Sequence, residues 1–142
     1  MALPEIMFKV LTKVHQGLFD ASKGRVSGKA MGMPVVKLTT TGRKSGQPRD
    51  TMLTAPVVDG DTVVIVASKG GGPTDPLWYR NLQADPKVTV TMTGSTRAMV
   101  ARTATKAEHD ELWPRIVASY KGYAGYQQKT ERPIPVVILE PA

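Results

Sequence analysis

T-T-T-G-R-K-S-G-Q-P-R, residues 39–49, is the stretch on which the reading of this chain turns. A run rich in β-branched residues (Val35, Val36, Leu38, Thr39, Thr40, Thr41) stops at Gly42, and Pro48 and Arg49 lead into the next apolar segment. Glycines at 42 and 46 can take positive φ on either side of the tip, so the spacing predicts a hairpin with strands over 35–41 and 50–58. Its tip carries Arg43, Lys44, Ser45 and Arg49. Backbone N–H groups turned to one side, a hydroxyl and fixed positive charge suit a phosphate or carboxylate. Taken alone, the same turn also reads as a solvated hairpin loop.

The rest of the chain extends this pattern. Asp59-Gly60-Asp61 is a turn signal, and Thr62 to Ala67 is a continuous apolar run, as in a buried strand. Val88, Val90 and Met92 alternate with Thr89, Thr91 and Thr93, the period of a half-buried strand. Gly94-Ser95 turns into a further strand over 97–104, and Val136 to Leu139 ends the series. Two helices interrupt. Asp75-Pro76 opens a short one that runs to Ala84 and stops at Asp85-Pro86. Thr105 and Glu108 form a capping box for a second, whose apolar stripe is Leu112, Ile116, Val117 and Tyr120 and which Pro114 is expected to kink or break. Many strands, short turns and few helices predict a mainly β protein with some α (α+β), an antiparallel barrel rather than a parallel βαβ sheet.

Upstream, Leu3, Met7, Val10, Val14 and Leu18 recur at helical spacing, which predicts an amphipathic helix over 4–19. Such a helix packs on its own domain or, being basic, rests on a membrane surface. Residues 20–33 read as a loose basic linker. The expected organisation is therefore residues 1–33 as helix and linker, and 34–142 as one barrel domain.

Composition narrows the chemistry. The chain has 142 residues, 41% hydrophobic and 22% charged, which matches one ordinary globular domain. It has no cysteine, which removes disulfides, thiolate catalysis and zinc–thiolate sites. His15 and His109 fall in no ligand-spaced motif and are read as surface residues; no metal site is expected. The net charge of +7 is uneven: residues 1–49 hold nine Lys/Arg against two Asp/Glu, and residues 50–142 hold ten of each. The entire excess surrounds the hairpin tip and points to an anionic partner. No apolar run is long enough to span a bilayer and no secretory leader is evident, so a cytosolic location is expected, peripheral to the membrane if the first helix binds it.

Two further constellations stand out. Ala67-Ser68-Lys69-Gly70-Gly71-Gly72-Pro73-Thr74-Asp75-Pro76 takes a strand through three glycines to a helix N-terminus, the general physics of an anion cradle, with a spacing that fits neither the Walker loop nor the dinucleotide fingerprint. Lys69 with Arg43 and Lys44 would give two cationic glycine turns at the ends of neighbouring strands. Tyr120, Tyr123 and Tyr126 recur every third residue and lie broadly on one side of a helix. They cap a core edge or wall a pocket with hydroxyl donors, and Gly122 and Gly125 between them predict a mobile covering segment. No Ser/His/acid order and no carboxylate pair is available, so a borrowed cofactor is the expected source of chemistry.

These residues together resemble the deazaflavin (F420)-dependent nitroreductase family of actinobacteria, reductases of quinones, enones and nitro compounds with the FMN-binding split β-barrel fold. The resemblance rests on six ordered blocks: the 39–49 stretch, A-S-K-G-G at 67–71, P-x-W-Y-x-N-L at 76–82, D-P-x-V at 85–88, the tyrosine triplet, and I-P-V-V at 134–137. It implies an enzyme that uses reduced coenzyme F420 to deliver hydride to an activated double bond of a small hydrophobic electrophile (an enone, unsaturated lactone or quinone). It further implies that Arg43, Lys44, Ser45 and Arg49 hold the phosphate and glutamyl tail. Ser68, Lys69, Gly70 and Gly71, with Pro76, Leu77, Trp78 and Asn81, would hold the remainder. Tyr120, Tyr123, Tyr126 and Ser68 would serve the reaction. Thr54 departs from the pattern, since the nitroimidazole-activating relative carries tyrosine there. An FMN-dependent split-barrel oxidoreductase and a single-stranded nucleic-acid-binding module are the alternatives; the latter needs aromatics interleaved with the cations, which this chain lacks.

Overall fold

The computed structural model describes residues 29–30, 32–92 and 94–142. The expected helix over 4–19 and most of the linker lie outside these residues, as does any membrane contact they would make. Among the described residues no helix is long and apolar enough to cross a membrane.

Among the described residues eight antiparallel strands form the body: β1 (Lys29–Ala30), β2 (Met33–Thr41), β3 (Pro48–Thr54), β4 (Val57–Asp59), β5 (Thr62–Val66), β6 (Lys87–Met92), β7 (Ser95–Thr103) and β8 (Val136–Pro141). The hydrogen-bonded order is β1-β2-β6-β7-β8-β5-β4, with β3 paired to β2. Three α-helices among the described residues accompany them: α1 (Leu77–Ala84), α2 (Lys106–Ser119) and α3 (Gly122–Gln128). This is the split-barrel-like arrangement expected from the sequence.

The apolar patterning explains the layers. Val36 and Leu38 of β2, Val63 and Ile65 of β5, Val88 and Val90 of β6, and Val137 and Leu139 of β8 converge in one interior cluster. Helix α1 adds Trp78, Tyr79 and Leu82 to the same cluster. A second cluster forms on the outer side of β5 and β8, where Val64, Val66 and Val136 meet Ile116 of α2, Tyr123 of α3 and Ile134. Strands β5 and β8 are thus covered on both faces, which is why they read as unbroken apolar runs rather than alternating ones. Fully burying each such side chain is worth roughly 1.5–3 kcal/mol.

Four local expectations need correction. The end of the stretch read as linker is paired instead: Lys29 pairs Pro34 and Ala30 pairs Met33, with Gly32 at φ +77°. The strand expected over 50–58 is two strands. Strand β3 pairs β2, the Ala55 amide donates to Pro34 O at 2.9 Å, and Val57 starts a separate strand on β5. Pro56 between them has no N–H for a ladder, so the chain changes partner there. Helix α2 runs through Pro114 without a break. Pro114 is exposed, and so is Asp110, the residue whose carbonyl a proline at 114 has no N–H to pair. Helix α1 starts at Leu77 with Pro76 as its cap and no side-chain cap, while Asp75 is engaged by Arg132 instead.

Candidate active site

The hairpin tip is built by its glycines. Gly42 N–H donates to Gln47 O and Gly46 N–H to Gly42 O, both at 2.8 Å. Gly46 needs its φ of +70°, and a β-carbon at Gly42 would come within 2.6 Å of Ser45 Oγ. Ser45 Oγ accepts from the Gln47 amide (3.2 Å) and from Arg49 Nη2 (3.3 Å), so the serine aims the arginine. Below the tip, the buried amide of Asn81 joins α1 to β2. The Arg43 N–H donates to Asn81 Oδ1 and Asn81 Nδ2 donates to Thr40 Oγ1, each at 3.2 Å.

Between the tip and α1 lies a cleft of about 290 Å³. One wall is Gly42, Arg43, Lys44, Ser45, Arg49 and Thr51, and the other is Leu77, Trp78 and Asn81. Arg43, Lys44 and Arg49 are exposed and form no ion pair among the described residues, although six such pairs occur elsewhere among them. Helix α1 presents an N-terminus without a side-chain cap, so its first amides are open to an anion. Leu77, 66% exposed beside the buried Trp78, gives the wall facing the cations an apolar edge.

The glycine-rich segment forms a tight 3₁₀ turn over Lys69–Gly71, between β5 and α1. Lys69 (φ +48°), Gly70 (φ +63°) and Gly71 (φ +81°) are consecutive left-handed residues, and Lys69 is the only described non-glycine with positive φ. Ser68 is buried, and its hydroxyl does not cap the turn. The two cationic turns do not sit on neighbouring strands, because β6, β7 and β8 lie between β2 and β5 in the sheet. They are joined through α1, which follows the glycine turn and grips the hairpin tip with Asn81.

The tyrosines form one cluster, with Tyr120–Tyr123, Tyr123–Tyr126 and Tyr120–Tyr126 ring centroids 5.6, 5.9 and 6.4 Å apart. The cluster stands against the glycine turn and does not line the cleft: a β-carbon on Gly71 would come within 2.6 Å of Tyr126 O. The three differ in setting. Tyr123 is buried, its hydroxyl 2.9 Å from Thr54 Oγ1 and 3.9 Å from Met33 Sδ, and burial raises its pKa. Tyr120 and Tyr126 are half-buried, and burial followed by a hydrogen bond with Tyr120 raises the pKa of Tyr126. The segment over 122–128 is helical, and a β-carbon on Gly125 would meet open space. A β-carbon on Gly122 would strike the Tyr120 ring, so that glycine serves packing in a formed helix. His109 is not a plain surface residue either, for it stacks on Trp113 at 5.2 Å and meets Ile134 O at 3.2 Å. Among the described residues no group of acidic or histidine side chains could hold a metal.

One residue of the site escaped the sequence reading. Arg132, only 14% exposed at its side chain, donates to Ser68 O and Gly72 O (2.9 Å each), to Ala67 O (3.3 Å) and to Asp75 Oδ1 (2.9 Å). Its partners are mostly carbonyls, which leave no mark in a sequence.

Comparison with known proteins identifies the family of the chain. Residues 11–141 match the family model of F420H(2)-dependent quinone reductase. F420H(2)-dependent quinone reductase Rv1261c of Mycobacterium tuberculosis is 38% identical over 133 residues, 91% of this chain and 89% of that one. The structure of F420-H2 dependent reductase (FDR-A) is 42% identical with a TM-score of 0.69, covering 75% of this chain and 94% of that one. A second solved structure, described as a domain-swapped dimer, is 35% identical with a TM-score of 0.71 and covers 95% and 96%.

Proposed function

The chain belongs to the F420H(2)-dependent quinone reductase family and is an oxidoreductase that uses reduced F420; from that premise we propose that the cleft at the hairpin tip takes the acidic tail of the coenzyme. The observation that carries this reading is three exposed cations, none ion-paired among the described residues, around one cleft with an uncapped helix N-terminus opposite. The residues fit the group: a phosphate and glutamyl tail brings negative charge, and this wall supplies charge-assisted donors for it. Arg43, Lys44 and Arg49 bind the tail, while Ser45 holds Arg49 in place and Asn81 holds the tip. The glycine turn and Leu77, Trp78 hold the remainder. When bound, the reduced coenzyme supplies hydride. The substrate is a quinone or a comparable small apolar acceptor, including enones and unsaturated lactones.

Negative charge that develops on the substrate oxygen is met by hydroxyl donors of the tyrosine cluster. Tyr126, and Tyr120 beside it, are the members with exposed surface to do this. A raised pKa keeps the Tyr126 phenol protonated at neutral pH, so its O–H remains a donor. An aligned donor of this kind lowers a barrier by roughly 3 kcal/mol. Tyr123 instead spends its hydroxyl on Thr54 and acts as scaffold.

Titration of the wild-type protein and of Lys44→Ala with F420 tests the reading. Loss of one charged partner costs about 1.5–3 kcal/mol, roughly a ten- to hundredfold weaker Kd. Equal affinity in the two proteins would remove the tail from this cleft.

A further inference from the structure

The glycine turn carries a strained residue and a set of amides with no acceptor. The Gly71 and Gly72 amides are used internally, donating to Ser68 O and Lys69 O. Those of Ser68, Lys69 and Gly70 have no acceptor among the described residues. Lys69 holds a left-handed conformation that L side chains avoid, a local cost that persists only where surroundings enforce it.

Arg132 grips the chain on both sides of that residue. Its guanidinium binds the carbonyls of Ala67, Ser68 and Gly72 and the Asp75 carboxylate, which occupies its fork of donors. Every peptide bond described is trans, so the C=O and N–H of one peptide unit point to opposite sides. Drawing the Ala67 and Ser68 carbonyls toward Arg132 therefore turns the Ser68 and Lys69 amides the other way. With Asp75 balancing its charge and its donors engaged, Arg132 itself is not a ligand for an anion.

We propose that Arg132 is a positioning residue that aims the Ser68 and Lys69 amides at the coenzyme's deazaflavin end. The proposal rests on the coenzyme reading above. A guanidinium is required because one planar fork must reach three carbonyls from one side; an ammonium on a flexible stem cannot span them. Gly71 of the same turn packs directly on the tyrosine helix, where a β-carbon would come within 2.6 Å of Tyr126 O.

The test compares Kd for complete F420 and for a deazaflavin lacking the phosphate and glutamyl tail, in wild type, Arg132→Gln, Arg132→Lys and Lys44→Ala. Losing two aimed amide donors weakens both ligands alike, by roughly tenfold, in Arg132→Gln. Arg132→Lys fails to restore binding, although it keeps the charge. Lys44→Ala weakens only the complete coenzyme. If Arg132→Gln does not fold, Asp75→Asn, which loosens one arm of the clamp, shows the same parallel loss at smaller size. Unchanged Kd in folded Arg132 variants, or full rescue by lysine, overturns the positioning role. Unchanged binding by Lys44→Ala, with Arg132 effects intact, instead overturns the tail assignment.

Discussion

Tyr123 shows how one hydroxyl decides between scaffold and chemistry. It is almost fully buried, and among the described residues Thr54 is its oxygen partner, with only the Met33 sulfur besides. A buried hydroxyl that loses its partner carries its full desolvation cost, whereas removing both partners leaves no orphan. Thr54→Val should therefore lower unfolding stability by about 1–3 kcal/mol, and the Thr54→Val, Tyr123→Phe double variant should recover part of that loss in urea denaturation. A double variant less stable than the sum of the singles refutes the pairing. The contrast with Tyr126 is kinetic. Tyr126→Phe should reduce kcat for quinone by about a hundredfold if its O–H meets the developing charge, while Tyr123→Phe leaves kcat near wild type. Equal kcat in all three Tyr→Phe variants takes the cluster out of the mechanism. At this scale Thr54 was legible only as a departure from the family pattern; its bond to a residue 69 positions away was not.

Elements were legible where their signals are local. The capping box at Thr105 is present as read: Thr105 Oγ1 accepts from the Glu108 amide at 3.2 Å, and Glu108 Oε1 accepts from the Thr105 amide at 3.0 Å. Thr105→Ala should cost about 1 kcal/mol of stability. The hairpin around Gly42 and Gly46 was likewise legible, because glycine is the residue such a tip demands. The exchange of partners at Pro56 and the passage of α2 through Pro114 were not, since both depend on what the rest of the molecule places alongside. Glu108 adds a pH signature to its helix. Its hydrogen bonds with Arg102, then with the Thr105 backbone, lower its pKa from 4.5 to about 2. A depressed folded pKa gives stability that is full above the unfolded value near 4.5 and is lost as pH falls through about 2. Glu108→Gln keeps the capping box but removes the charge, so Tm should fall less between pH 5 and 2 than in wild type. An identical acid limb in both proteins rules out this pair as a contributor.

Across the whole molecule, charge and fold divide the work. The barrel takes the apolar residues of β2 from the basic N-terminal third into its core, whereas Arg43, Lys44 and Arg49 of that third line the cleft and form no ion pair among the described residues. Lys29, Lys37, Arg43, Lys44 and Arg49 fall within residues 29–49 with no acidic residue among them. The sequence therefore revealed the sign of the partner from composition alone. It did not reveal that α1, rather than a neighbouring strand, links the two turns, because sheet order is fixed by long-range pairing. A ligand held by exposed cations should bind in a salt-dependent way, since screening shortens from about 10 Å at 0.1 M to about 3 Å at 1 M. Coenzyme Kd should rise steadily over that range in wild type and more gently in Lys44→Ala, which has one cation fewer to screen. For the deazaflavin without its tail, the Kd should be nearly flat, because amides and the apolar edge of Leu77 and Trp78 carry no net charge. A salt slope equal for the two ligands would place the electrostatic attraction on the ring end and away from the hairpin tip.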